Sequence, residues 1–152
     1  MSTDAERQEY IDGFAERIKD NPPTDRAVRI HKLLAKYDLG VEKANSDLNR
    51  QIVAGGPLDD KTKELLFVLG YTVRGFDQQH IAWHTRAALR AGASPEEILH
   101  ALELSILMTG VVPFMKGVEA WAEATGAEGV EPTVPAVAMG NDGLPKQGRT
   151  PS

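Results

Sequence analysis

His80 and His84 lie four residues apart in the stretch DQQHIAWH, residues 77 to 84. If this stretch is helical, the two imidazoles project from the same face, one turn apart. Imidazole changes charge near neutral pH, so the pair could transfer protons. It could also supply two ligands to a metal ion, or consist of two packed histidines without chemical function.

A metal site is the weaker interpretation of this pair. Two imidazoles leave a metal ion short of ligands, although Glu64 could supply a third. The His-Glu-x-x-His motif of zinc hydrolases is absent, because Ile81 and Ala82 stand in the middle of the stretch. We therefore expect no bound metal and no cofactor.

The chain of 152 residues contains no cysteine. Disulfides, thiol catalysis, thiolate zinc sites and iron–sulfur clusters are therefore excluded together. Any catalysis must use imidazole, carboxyl, hydroxyl, phenol, amine or guanidinium groups.

Two helices are predicted to position these histidines. Asp59 can cap a helix from about residue 60 to 73, and Asp77 can cap another from residue 78 to about 91, which Gly92 ends. The short link Arg74-Gly75-Phe76 makes the two helices antiparallel neighbours.

Counting along this hairpin places Glu64 opposite His84. Glu64 lies eleven residues before Gly75 and His84 nine residues after it, or roughly 16 and 13 Å from the turn at about 1.5 Å per residue. His80 falls about level with Tyr71. We predict that Glu64, His80 and His84 form an acid–base site in which the carboxylate orients an imidazole.

Each of these residues also has a purely structural interpretation. Glu64 could be a solvated helix residue, and His80 a polar residue near a capped helix end. His84 lies among alanines and could be a packed histidine. Asp77 is best explained as a helix cap alone. His31 and His100 have no visible partner and are interpreted as surface or packing residues.

Four further side chains near the hairpin are candidates for substrate binding. Tyr71 and Trp83 could contact a substrate, although aromatic residues more often serve a core or an interface. Arg74 and Arg86 could each bind an anionic group through a bidentate contact, or simply face solvent.

The remaining sequence predicts further helices and no strand, and hence an all-α bundle. In the N-terminal part, helices are expected at residues 3–19, stopped by Asn21-Pro22-Pro23, at 24–37, ended by Gly40, and more weakly at 41–54. The capping box Ser94-Pro95-Glu96-Glu97 should start an apolar helix that is central and buried up to Gly110. A last helix is expected at 113–124. We assign residues 1–125 to one domain.

Residues 126–152 differ in composition from the rest of the chain. They contain five glycines, four prolines and no aromatic residue, and such a segment cannot build its own core. The tail is either disordered or an arm laid across a neighbouring subunit, for which the apolar run VPAVAM, residues 134 to 139, is suggestive.

Charge and hydropathy limit the partners and the location. Acidic residues outnumber basic ones by 22 to 17, and the basic residues are dispersed, which argues against a nucleic-acid or membrane surface. No apolar run is long enough to span a membrane, and the first 20 residues are too charged for a secretory signal. We expect a cytoplasmic protein.

Residues 58–110 resemble the carboxymuconolactone decarboxylase family, which includes the alkylhydroperoxidase D-like proteins. The matching features are Lys63-Glu64-Leu65, His84 with Ala88 and Gly92, Ser94-Pro95-Glu96-Glu97-Ile98, and Gly110. The resemblance implies an all-α fold with a central antiparallel hairpin, assembled as a homo-oligomer, a trimer or a hexamer.

The resemblance also bears on the chemistry. The peroxidase branch carries a Cys-x-x-Cys whose positions correspond here to Asp77 and His80, so thiol-based peroxide reduction is excluded. The decarboxylase branch implies a lyase that acts on a small carboxylated lactone or cyclic acid through Glu64, His80 and His84. A cofactor-free hydratase or isomerase, and a non-catalytic oligomeric binding protein, remain alternatives.

Overall fold

The computed structural model of the chain describes residues 2–19 and 23–127, and over these residues it contains eight α-helices and no strand. The predicted all-α class is confirmed. The helices are α1 (Asp4–Asp12), α2 (Phe14–Arg17), α3 (Asp25–Tyr37), α4 (Leu39–Ala54), α5 (Asp60–Val73), α6 (Gln78–Arg90), α7 (Pro95–Thr109) and α8 (Val111–Thr125). None of these helices combines the length and the apolar character needed to span a membrane.

Helices α5 to α8 pack together around the main core. Its buried side chains come from α5, α6, α7 and the link between α6 and α7, and they are Val68, Ala88, Ala93, Ile98 and Leu102. Phe114 and Trp121 of α8 cover this cluster, and the Trp121 indole donates a hydrogen bond of 2.9 Å to the Pro95 carbonyl. The core thus fixes α5 and α6, the two helices of the predicted hairpin.

Gly117 allows α8 to approach the core closely. A Cβ atom at this position would lie 2.7 Å from Leu102 Cδ2 and 3.1 Å from Thr72 Cγ2. Both neighbours are fully buried. The glycine therefore sets the distance between α8 and the two helices beneath it.

The N-terminal helices form a second packed group in which α3 contacts both α1 and α4. Phe14, Ala35 and Leu39 are buried there. Polar contacts join this group to the core helices. Lys63 Nζ donates to the Val53 carbonyl at 2.6 Å, and the Arg26 guanidinium lies 3.0 Å from the Asp77 carboxylate.

The first predicted helix, at residues 3–19, is divided in two. Helix α1 ends at Asp12, and the four-residue α2 begins after Gly13. Glycine is a poor helix former, and the Arg17 guanidinium donates to the Tyr10 carbonyl at 2.6 Å, which competes with the backbone ladder. The predicted stop at Asn21 and Pro22 lies outside the described residues.

The prediction that Gly40 ends the second helix is wrong. The break comes at Asp38, whose side chain accepts a hydrogen bond of 3.0 Å from the Val41 backbone N–H and so caps α4. Gly40 lies inside α4, and residues 41–54 belong to this continuous helix. An N-cap aspartate is the stronger local signal here, and the buried side chain of Glu42 adds tertiary support.

The start signals of the next three helices are confirmed. The Asp59 side chain accepts from the Thr62 N–H at 2.7 Å, and that of Asp77 accepts from the His80 N–H at 3.0 Å. Ser94 and Glu97 form the predicted capping box. The last helix begins at Val111, two residues earlier than expected.

The prediction that α7 is buried holds for one face only. Ile98, Ala101, Leu102 and Ser105 are buried, whereas Leu107 is 85% exposed. An all-apolar helix end therefore faces outwards in the single chain. The predicted tail lies, from residue 128 onward, outside the described residues.

Candidate active site

Glu64 and His84 form a direct contact between α5 and α6. His84 Nδ1 lies 2.7 Å from a Glu64 carboxylate oxygen. The Glu64 side chain is 14% exposed and the His84 side chain 8% exposed. A carboxylate at this position accepts the Nδ1–H and leaves Nε2 as the ring nitrogen that can exchange a proton with a substrate.

Three aromatic rings surround the His84 imidazole. The ring centroids of Phe67, Tyr71 and Trp83 lie 4.9, 4.8 and 4.5 Å from that of His84. The Tyr71 ring stacks on the imidazole, whereas Trp83 meets it edge to face. Such surroundings keep water away from the imidazole, so electrostatic interactions there are stronger than at the surface.

His80 lies beside His84, and within the part of the chain that the structure describes its ring forms no ion pair with a carboxylate. Its ring centroid is 5.2 Å from that of His84, 4.4 Å from that of Tyr71 and 5.0 Å from that of Phe76. His80 Nε2 is buried and has no hydrogen-bond partner within the described part of the chain. A polar atom in this condition is available to a ligand.

Burial lowers the pKa of His80, and the neighbouring His84 lowers it further, against an opposing effect of Asp77. His80 is therefore neutral at neutral pH. Burial also raises the pKa of Tyr71, with Glu64 adding to the effect. The phenol therefore keeps its proton.

A cavity of about 460 Å³ adjoins this group between α4, α5 and α6. Glu64 is part of its wall, together with Lys63 and the two guanidinium groups of Arg50 and Arg90. The volume is in the range of small-molecule sites. The cavity is also lined by Asp60, which lies 3.3 Å from Lys63, and Arg50 is paired with Asp47, so its wall carries charge of both signs.

The predicted substrate-binding residues are distributed over different surroundings. Tyr71 belongs to the aromatic group around both histidines. Trp83 and Arg86 line a neighbouring cavity of about 530 Å³, and the Arg86 guanidinium lies 3.3 Å from the Glu123 carboxylate. Arg74 is exposed at the hairpin turn, where its backbone N–H bonds the Gly70 carbonyl.

The sequence analysis missed Arg50 and Arg90. Arg90 could have been found from helical spacing. It lies three residues after Ala87, which itself lies three residues after His84, and Ala87, Arg90 and Ala91 all line this cavity. Arg50 could not, since it reaches the cavity only through the packing of α4. In residues 2–19 and 23–127 no group of three or more histidine, aspartate or glutamate side chains is arranged to hold a metal ion.

Two histidines without a predicted partner have one. His31 Nδ1 lies 2.9 Å from a Glu42 carboxylate oxygen, and His100 Nδ1 lies 3.3 Å from Glu103 at the exposed surface. The first prediction failed because Glu42 comes from α4, which was expected to be weakly helical. The second pair joins adjacent turns of α7.

The model of the Carboxymuconolactone decarboxylase family matches residues 40–124, more than half of the chain. The chain belongs to the carboxymuconolactone decarboxylase family. The match is wider than the resemblance at residues 58–110. It includes α5 to α7, all but one residue each of α4 and α8, and the whole group of Glu64, His80 and His84. Neither the curated proteins nor the solved structures contain a significant match to this chain.

Family membership fits a site without sulfur chemistry. The chain has no cysteine, and the polar groups of the described site are carboxyl, imidazole, phenol, indole and cationic groups. Its geometry brings together the three residues predicted to be catalytic.

Proposed function

We propose that the protein is a carboxymuconolactone decarboxylase-like lyase that removes CO2 from a small carboxylated lactone or cyclic acid without a cofactor. The observation that carries the proposal is the 2.7 Å contact between Glu64 and His84, both largely withdrawn from water, beside a second, neutral imidazole. Family membership supports the choice of reaction class.

The reaction requires one bond to break and one to form. The carbon–carbon bond to the carboxylate breaks, CO2 leaves, and the electron pair moves through the ring to the conjugated carbonyl oxygen. A proton then adds to carbon, so that one proton is consumed for each CO2 released. The barrier lies in the transient anion, which needs hydrogen-bond donors and a nearby acid.

His84 is the proton donor in this proposal. The Glu64 carboxylate fixes its tautomer and stabilises the positive charge on the ring while it holds a proton. After delivery of the proton to carbon, the ring recovers a proton from solvent. Glu64 itself is an orienting group.

His80 complements His84 as a neutral group. Since burial holds its pKa below the ordinary value, it can donate one hydrogen bond without carrying charge. Its buried Nε2 lacks a partner among the described residues and could contact the oxygen on which negative charge develops.

Cationic side chains around the cavity could bind the carboxylate of the substrate. Arg50, Lys63 and Arg90 line the same cavity as Glu64, and a substrate carboxylate there would exchange with the Asp47 and Asp60 partners of Arg50 and Lys63. Arg86 and Trp83 could contact a larger substrate from the adjacent cavity, and Arg74 from the hairpin turn.

A screen for CO2 release tests the proposal. Carboxylated γ-lactones and cyclic β-keto acids are incubated with the purified protein, CO2 is quantified and the remaining acid is identified by NMR. We expect stoichiometric CO2 from at least one lactone acid. Water addition or double-bond migration without CO2 would instead identify a hydratase or isomerase, and the absence of any turnover across the panel would favour a binding protein.

We further infer that the protein self-associates through the corner between α7 and α8. Large apolar side chains are exposed there in the single chain, and they are Leu104, Ile106, Leu107, Met108, Val111, Val112 and Met115. Contiguous exposed apolar residues of this kind mark interaction sites. The trimer or hexamer implied by the family resemblance would cover them with a second copy of the chain.

A further inference from the structure

A second histidine–glutamate pair lies among the N-terminal helices, away from the Glu64 site. His31 Nδ1 is 2.9 and 3.1 Å from the two Glu42 oxygens. The Ser46 hydroxyl donates to Glu42 at 2.9 Å, and the Tyr10 hydroxyl at 3.4 Å. Glu42 is completely buried, whereas the His31 side chain is 29% exposed.

Glu42 occupies the Nδ1 nitrogen of the His31 ring and leaves Nε2 available to a ligand. A buried carboxylate is costly unless hydrogen bonds satisfy it, and three groups from α1, α3 and α4 satisfy Glu42. Its contact with Nδ1 holds the imidazole in one orientation against a cavity of about 450 Å³ that His31 lines. The cavity is large enough for a small organic molecule.

The wall of this cavity combines cationic and aromatic side chains. Arg17, Lys43 and Arg50 line it, together with the rings of Tyr10 and Phe14. The Arg50 charge is offset by its ion pair with Asp47. Among residues 2–19 and 23–127, neither Arg17 nor Lys43 forms an ion pair with a carboxylate within 4.0 Å.

Contacts within the protein pre-organise these groups. The Arg17 guanidinium lies over the Tyr10 ring, 3.9 Å from its centroid, and Lys43 Nζ is 5.8 Å from the same ring. The Phe14 ring centroid is 5.8 Å from that of His31. Positive charge and aromatic surface therefore meet at one place.

We propose that this cavity is a second binding site, which takes a small organic carboxylate with an apolar body. Lys43 and Arg17 bind the carboxylate, and the Phe14 and Tyr10 rings pack against the apolar part. His31, when protonated, donates to the same carboxylate while Glu42 holds its Nδ1. The site stands independently of the lyase activity proposed for Glu64 and His84.

NMR of the histidine side chains in the full-length protein tests this site with benzoate as the probe. The His84→Gln variant removes the imidazole of the other site, so that binding there is not confused with binding at His31. We expect a saturable shift of the His31 ring resonances, weaker binding of acetate, which lacks the apolar body, and no binding of benzamide, which lacks the charge.

The Lys43→Met change keeps most of the apolar stem and removes the charge. Loss of one charge-assisted contact should weaken benzoate binding by about tenfold or more. The matched control is Lys36→Met, since Lys36 also lies near an aromatic ring, that of Tyr37, but does not line the cavity. Thermal unfolding and the undisturbed His100 resonances confirm that both variants fold.

Several results would overturn the second site. These are a His31 resonance unmoved by benzoate, equal binding of benzamide or acetate, and equal benzoate affinity in Lys43→Met and Lys36→Met. A failure of the lyase proposal is distinguishable from these results. In that case the unmodified protein would release no CO2, while benzoate would still shift the His31 resonance.

Discussion

Two histidines one helical turn apart have different surroundings, and this difference assigns their roles. His84 contacts a carboxylate at 2.7 Å, whereas His80 has only rings and a buried, unpartnered Nε2 in the described structure. The carboxylate fixes the tautomer of the His84 ring, and burial lowers the pKa of His80 and so favours its neutral form. Neighbouring groups whose environments differ in this way are suited to separate acid and hydrogen-bonding roles.

Replacing His84 by Gln should lower turnover of a responsive substrate by about 100-fold or more, because the amide cannot transfer a proton. The control is His100→Gln, since His100 is exposed and contacts only Glu103. Steady-state kinetics of the two variants measure the effect. Equal turnover of the folded His84→Gln variant and the control would reject the role of His84.

The pKa of His80 predicts a dependence of stability on pH. Because burial lowers this pKa in the folded state, the unfolded chain binds more protons as the pH falls below the ordinary histidine value. The contribution of His80 to stability is therefore present above that value and is lost as the pH falls through the folded pKa.

Urea unfolding at about pH 7.5 and about pH 5 measures this contribution. The free energy of unfolding of the wild type, relative to that of His80→Gln, should be larger at the higher pH than at the lower pH. His100→Gln should show no such change. A pH-independent difference for His80→Gln would contradict the assigned shift.

Sequence reasoning found the residues that one hairpin brings together and missed those that depend on tertiary packing. Counting from Gly75 sufficed to place Glu64 opposite His84, because two helices joined by a short turn have a fixed register. Arg50 reaches the cavity only through α4. The contact of His31 with Glu42 depends on how α3 packs against α4, which no local pattern reveals.

At the scale of elements, the site depends on the close packing of α8 against α5 and α7. Gly117→Ala should destabilise the fold by about 1–3 kcal/mol, because the new methyl group would overlap Leu102 and Thr72, which are fully buried. Gly70→Ala is the matched control in α5, since a Cβ there meets nothing within 4 Å. Removing this helical glycine should stabilise the protein by about 0.5–1 kcal/mol.

Thermal and urea unfolding of the two glycine variants provide the comparison. Equal stability of Gly117→Ala and the wild type would show that α8 can move away without cost. The packing described for the core would then be wrong at that position.

Element boundaries followed from the sequence wherever a side chain caps a helix. The carboxylates of Asp59 and Asp77 and the Ser94 box gave the starts of α5, α6 and α7 correctly. The errors came at glycines. Gly13 interrupts a helix that was predicted to continue, and Gly40, predicted to end the second helix, lies inside the next one, because neighbouring side-chain contacts decide both cases.

At the scale of the whole molecule, the exposed apolar corner between α7 and α8 predicts self-association. Leu107 is 85% exposed there. Leu107→Lys should shift the sedimentation profile towards the monomer, because an unpaired charge in an apolar interface is unfavourable. Leu48→Lys, at a leucine that is 56% exposed on α4, is the control and should leave the mass unchanged.

Analytical ultracentrifugation over a range of protein concentrations measures both variants. A wild-type chain that remains monomeric, or a Leu107→Lys variant with the wild-type mass, would contradict the proposed interface.

A double-mutant cycle in turnover on Glu64 and His84 tests the central claim most directly, because the claim is that the carboxylate and the imidazole act as one unit. The cycle compares Glu64→Gln, His84→Gln and the double variant on one substrate. Residues that act together give strongly non-additive losses. We predict that the double variant loses no more activity than His84→Gln alone, whereas independent, multiplicative losses would contradict the account.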